Sequence, residues 1–396
     1  MKKIFYVLVL VGAAVFYGCS GNGLTPEMDA TKLWPAGEDG SEKSWGYINA
    51  KGDMVIRAKY DEANSFSCGW ASVKEDGDVK YIDKGGNKGK VPSVDGYYKY
   101  FYYNRIEFRD DTLYGKFDTK FEKIVKAKYA QLGRTGDNGF CFFREEGETR
   151  LGYLDRNGNE VISDEYDYAA TFAKGIAVVG EKKNDEMRYG IINPKGDYTL
   201  DPSTKVLTNL GEGRVESRNP SNGKCIMIDK NGNEYGDSYD NINPFSCALA
   251  MVVKNNKYGY IDIRGNEIIG LSFADATDFS DNVAWVREKA EPDARYILID
   301  MKGNEIFTLN KSDRPASLYH NGLCLIYNAE KSKYTYINKK ADEIYSWKFK
   351  TPSPAPARTL REMSMISMAQ TENGILFMER MHGLRLNDKC EIENAD

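Results

Sequence analysis

Apolar and polar positions alternate in short runs along most of the chain, at the two-residue period of a strand rather than that of a helix. From Trp45 to Asn49 the run is aromatic and β-branched, and it predicts a strand. Asn49-Ala50-Lys51-Gly52-Asp53 predicts a turn, because Gly accepts positive φ and Asn can bond its own backbone. Met54 to Ile56 reads as a second strand. A longer connection follows, Tyr60-Asp61 through Phe66, and Trp70 to Lys74 reads as a third strand that leads into Tyr81-Ile82-Asp83.

That tripeptide restarts the pattern. Its first position falls at Tyr47, Tyr81, Lys116, Tyr153, Ile191, Met227, Tyr260, Leu298 and Tyr336, with spacings of 33 to 38 residues. A fixed period of this size marks a repeat array. The turn returns at Gly86, Gly158, Gly196, Gly232, Gly265 and Gly303, each three residues after an Asp or Asn. Asp118-Thr119-Lys120-Phe121 and Asn338…Ala341-Asp342 lack the glycine, so looser or differently turned hairpins are expected there.

Three strands per copy cannot bury a face alone and need neighbours. The expected fold is all-β: about nine to ten β-meander repeats, propeller-like and arched or split, with a closed β-propeller ring as the alternative. Nine or ten units of this length fit the usual ring of four to eight longer blades poorly.

The pattern resembles the WG-repeat family, named for a Trp-Gly pair that opens each unit. The pair stands at Trp45-Gly46, with variants at Tyr114-Gly115, Leu151-Gly152, Tyr189-Gly190 and Tyr258-Gly259. Tyr60-Asp61, Tyr166-Asp167 and Tyr239-Asp240 match as well, as do Phe66, Phe172, Phe245 and Phe279. The resemblance covers 45–350 and implies a β-repeat scaffold, often of the cell envelope, with no catalytic residues to carry over.

Both ends differ from the array. Residues 1–19 read as a lipoprotein signal: Lys2 and Lys3 precede an apolar run too short to span a bilayer, and Gly18-Cys19 makes Cys19 the expected lipidation site. An ordinary secretory signal is the plainer alternative. Residues 20–44 read as a polar tether, 351–374 as a Pro-rich linker with a possible short helix, and 375–396 as a degenerate repeat or C-terminal cap. The address expected is a lipid-anchored envelope protein, on the outer membrane.

Composition narrows the chemistry. A net charge of −5 with no basic patch argues against nucleic acid. Two histidines leave little for acid–base catalysis near neutral pH. No CxxC occurs to suggest zinc. Cys68 and Cys247 share one repeat position, and Cys141 and Cys324 another, which predicts free structural thiols rather than disulfides. The Asp-Asn-rich turns resemble calcium loops only faintly, because their Gly sits at the fourth position instead of the sixth. The Tyr-Asp pairs recur once per repeat, so a structural bond is expected, such as a carboxylate capping a turn.

One stretch stands out as a contact surface, the aromatic run from Tyr97 to Tyr103. As a strand it would place Tyr98, Tyr100 and Tyr102 on one face and Tyr97, Phe101 and Tyr103 on the other. Tyrosine suits protein interfaces and sugar rings alike; burial of the strand on both faces is the plainer reading. The expectation is a non-catalytic envelope scaffold without cofactor or metal that binds a protein partner, or alternatively a carbohydrate.

Overall fold

The computed structural model describes residues 32–41, 44–97, 101, 103–291, 294–348, 384–386 and 392–394. Among the described residues all regular elements are strands in antiparallel sheets, eight of which follow one another from Trp34 to Trp347. A ninth is the hairpin of Leu384–Leu386 with Ile392–Asn394. The expected terminal segments 1–19 and 20–31, the tether's 42–43, and 349–383 lie outside the described residues.

Repeat five shows the complete unit. Its four strands, Tyr168–Ala169, Ala177–Lys183, Glu186–Ile192 and Tyr198–Ser203, pair in sequence order. The third strand carries the repeating tripeptide. Repeat one has three strands and repeat two lacks a regular fourth; Pro92, without an N–H to donate, falls where that strand would run. Repeats three and four share the ten-residue strand Lys123–Leu132 and fuse into one seven-stranded sheet. Nine repeats therefore make eight sheets.

The signature glycine has a steric cause. Between third and fourth strands the register slips, as from Trp45↔Tyr60 to Tyr47↔Ile56, so the fourth strand bulges. A Cβ on Gly46 would lie 2.3 Å from the Ile56 carbonyl oxygen, and one on Gly259 2.7 Å from that of Ile269. Where the glycine is replaced by Ile297 or Thr335, the strands pair in step past that point: Ile297↔Thr308 with Leu298↔Phe307, and Thr335↔Ser346 with Tyr336↔Tyr345.

Each junction between repeats is a core of repeated composition. Tyr153, Ile162 and Tyr166 pack on Phe172, Ala177, Val179 and Ile192 of the next repeat. Met227 and Tyr239 meet Phe245, Ala250, Val252 and Ile261 in the same way. The tyrosine hydroxyl is not wasted in this apolar setting. Tyr47 donates to Asn64 O (2.7 Å), Tyr153 to Ala170 O (2.7 Å) and Tyr260 to Thr277 O (2.6 Å), always one repeat ahead.

The last repeat makes the same contacts with the first. Tyr336 donates to Pro35 O (2.8 Å), and Trp347, Tyr336 and Ile344 pack with Trp34, Ala36 and Ile48. Trp34 Nε1 donates to His320 O (2.8 Å) and Gly40 N to Lys348 O (2.9 Å). Of the two arrangements the sequence allowed, the array takes the closed one.

Two turn expectations change. The Asp118 and Asn338 hairpins are neither loose nor different. Phe121 N bonds Asp118 O and Ala341 N bonds Asn338 O, as in the glycine turns, with Phe121 at φ 61° and Ala341 at φ 65°. Phe121 tolerates this conformation because its ring is buried with Tyr81, Phe101 and Trp70.

Candidate functional site

The recurring polar side chains have structural roles. Asp167 Oδ2 accepts the Lys182 amide (2.6 Å) and Asp240 Oδ2 the Asn255 amide (2.7 Å), so the Tyr-Asp carboxylate caps the hairpin between second and third strands. The turn carboxylates bind their own loops. The side-chain amides of Asn87 and Asn304 are the largest influence holding Asp83 and Asp300 below the usual carboxylate range. These hairpin bonds account for the acidic turns that faintly resembled calcium loops.

The tight turns between first and second strands link neighbours. Both central residues have positive φ, as at Lys174-Gly175 (50° and 76°) and Asn321-Gly322 (51° and 96°), the twist a two-residue hairpin needs. Lys174 N donates to Asp137 Oδ2 (2.7 Å) and Gly322 N to Asp281 Oδ2 (2.6 Å), each on the preceding repeat. Ser67, Ser246 and Ser280 donate to the carbonyls of Phe101, Phe279 and Tyr319 on the following one.

The aromatic run lies in this same register. Phe101 occupies the position of Phe66, Phe172, Phe245 and Phe279, is 1% exposed, and packs on Tyr81, Ile106 and Phe108. It is not available to a ligand, which corrects its place in the predicted contact face. The run is not one strand either. A strand covers Gly96–Tyr97, and Tyr103-Asn104 form a turn at φ 46° and 61°. Tyr103 is half-buried; Tyr98, Tyr100 and Tyr102 lie outside the described residues, as does Cys19.

Cys68, Cys141, Cys225 and Cys324 are free, as the register predicted for three of them. Burial pushes the Cys141 thiol up, and that of Cys324 to about 12. Cys247 departs from the expectation and is disulfide-bonded. It is half-buried in a tight turn at φ 52°, as free Cys68 is at φ 50° in the equivalent place.

Three junctions break the pattern. Between repeats three and four, Lys116 stands where five other copies have Tyr. It is 2% exposed, ion-paired with buried Glu107, and donates to Gly133 O (2.7 Å) and Thr135 Oγ1 (3.3 Å). Gly133 is 17 residues on, the separation spanned by the tyrosine bonds, so the ammonium replaces the phenol in the same link. Elsewhere this place holds an edge-on aromatic pair, such as Tyr153–Phe172 at 4.9 Å. Between repeats seven and eight, burial raises the Asp278 carboxyl to about 6 although Asn243 donates to it (2.9 Å). The third junction, between repeats eight and nine, opens into a cleft of about 270 Å³ lined by Phe307, Leu309, Ile326 and Ile337 and by polar side chains at its mouth.

A family model described as the WG containing repeat matches residues 45–77, 152–184, 238–258 and 258–289. These four stretches are WG containing repeats. The signature pair is the tryptophan or tyrosine and the glycine that face the bulge described above. No curated protein matches the chain. Several solved structures align at low similarity. Apo AztD from Citrobacter koseri is 12% identical over 69% of this chain and 92% of that chain, with a TM-score of 0.40. Kluyveromyces lactis Hsv2 is 12% identical over 70% and 96%, with a TM-score of 0.36. Dihydro-heme d1 dehydrogenase NirN in complex with DHE is 13% identical over 86% and 83%, with a TM-score of 0.41. At these scores none of them informs what the WG-repeat ring binds.

Proposed function

We propose that this protein is a non-catalytic scaffold of a Gram-negative-type envelope, anchored through lipid on Cys19, whose ring binds a protein partner. One observation carries the reading. Recurring polar residues such as Asp167 and Asp240 bond the backbone of the repeats, while the hairpins they cap present exposed side chains, as at Asn184-Asp185 and Asn255-Asn256. Exposed loops on a rigid frame are where binding sites are commonly built. The rival, carbohydrate binding through the aromatic run, loses Phe101 to the core.

Two experiments test this. A photo-crosslinking residue placed in turn at Asp185, Asn256 and Lys230 of the full chain should trap one protein species from envelope extracts, from one face of the ring. Glycan binding with no protein adduct would reverse the order of the two readings. Separately, Cys19→Ala should move the protein from the membrane to the soluble fraction; an unchanged membrane fraction would remove the anchor.

A further inference from the structure

Six repeats carry on their fourth strand an aromatic side chain that plugs the junction to the next repeat: Tyr60, Tyr129, Tyr166, Tyr239, Phe273 and Trp347. Repeat eight does not. Its strand Glu305–Thr308 pairs in step past Ile297, without the wide bulge, and ends after four residues. Leu309 N bonds Tyr296 O, which puts Leu309 in the plug position, packed with Leu298, Tyr319, Cys324, Ile326 and Ile337. Those partners match, one for one, the set around Tyr60: Tyr47, Phe66, Ala71, Val73 and Ile82. A leucine fills less of the slot than a tyrosine ring, and the cleft of about 270 Å³ lies there, open to solvent.

The mouth of the cleft is charged but mostly committed. Lys333 pairs with Glu343 at 2.8 Å and, as the largest influence, holds that carboxyl below its ordinary range. The two Asp313 oxygens take amide donors from Asn310 (3.2 Å) and Asn328 (2.6 Å). Lys331 lines the mouth and is exposed; its backbone amide donates to Asn328 Oδ1 (2.8 Å), while its ammonium, which acts on Glu343 only through space, makes no hydrogen bond or ion pair among the described residues. Lys331 is therefore the rim cation left without a contacting carboxylate.

We propose that this cleft receives an aromatic side chain flanked by acidic residues, presented by a segment of a polypeptide partner. The inference rests on the protein-binding reading above and names the chemistry of its anchor. The slot has the surroundings that hold a tyrosine ring in the sister repeats, and Lys331 complements an acidic neighbour. Aromatic anchors in desolvated pockets commonly dominate such contacts.

Titration of the full chain with acetyl-Asp-Tyr-Asp-amide tests it, with acetyl-Asp-Ala-Asp-amide, acetyl-Lys-Tyr-Lys-amide and methyl glucoside as comparisons. The tyrosine-acidic peptide should bind at least tenfold more tightly than each of the others. Leu309→Tyr should fill the slot, raise the melting temperature and abolish binding. Lys331→Glu, on the surface, should keep the melting temperature and weaken binding about tenfold, so the test stands even if Leu309→Tyr does not fold. Equal binding of the alanine peptide, preference for the glucoside, or indifference to Lys331→Glu would each overturn the proposal. If photo-crosslinking still captures the partner with the Leu309→Tyr protein, this anchor fails while the scaffold reading survives.

Discussion

Gly52 of repeat one lies under Ile344 of repeat nine: a Cβ there would sit 2.3 Å from the Ile344 carbonyl oxygen. The turn glycine of one repeat lies against the preceding fourth strand throughout the ring, as Gly86 does on Ile56, Gly196 on Ile162 and Gly303 on Ile269. The ring thus closes with a contact used inside it. Gly77 provides a control, because it has nearly the same φ (85° against 87°) with nothing within 4 Å of a Cβ. Gly77→Ala should cost about 1–2 kcal/mol from backbone conformation alone. Gly52→Ala should cost about 1–3 kcal/mol more, from overpacking against backbone at the closure. Urea denaturation of both variants measures the difference, and equal losses would show that the first and last repeats part without penalty.

Lys116 and Glu107 form an ion pair in which each residue is at most 3% exposed. Lys116→Met leaves Glu107 buried without its cation and should destabilise the protein by about 3–5 kcal/mol. Glu107→Gln with Lys116→Met should recover part of that loss, because no uncompensated charge remains. Chemical denaturation of the single and double variants at pH 7 decides it.

Asp278 carries a pH dependence of defined sign. Its folded pKa of about 6 lies above the unfolded value near 3.8, so the folded state holds the proton more tightly. The associated stability is complete below about pH 4 and is lost as pH rises through 6. Asp278→Asn keeps the acceptor for Asn243 and removes the charge. It should stabilise the protein at pH 7.5 by about 1–3 kcal/mol, change little at pH 4, and flatten the slope between. A variant with the same slope as the parent would place the titration on another group.

The free thiols should differ in reactivity. Cys141 and Cys324 are buried with raised pKa, so little thiolate forms and reagents cannot reach it. Alkylation of the native protein at pH 8 should spare both and modify half-buried Cys68 first. Rapid labelling of Cys324 would mean that the junction of repeats eight and nine opens in solution.

The repeat, its strands and the structural role of the Tyr-Asp carboxylates were legible because each rests on local chemistry that recurs in phase. The same periodicity explains the errors. Tyr97 to Tyr103 looked exceptional beside its neighbours, yet Phe101 falls on the recurring core position, and the junction it fills is formed by residues far apart in the chain. Phe121 broke the turn pattern but kept the turn, because tertiary packing of its ring offsets the strain of positive φ.

Local pattern determined the all-β repeat unit, its period, the turn glycines and the aromatic positions, since alternation and turn stereochemistry act over a few residues. The tertiary structure alone decided that the array closes, that Lys116 pairs with Glu107, that Asp278 is desolvated, and that Leu309 leaves a cleft. Each of those depends on what a neighbouring repeat places opposite a side chain, and ring closure depends on the small rotation between repeats summed over nine copies. No stretch of sequence carries that sum; the contact of Gly52 with Ile344 does.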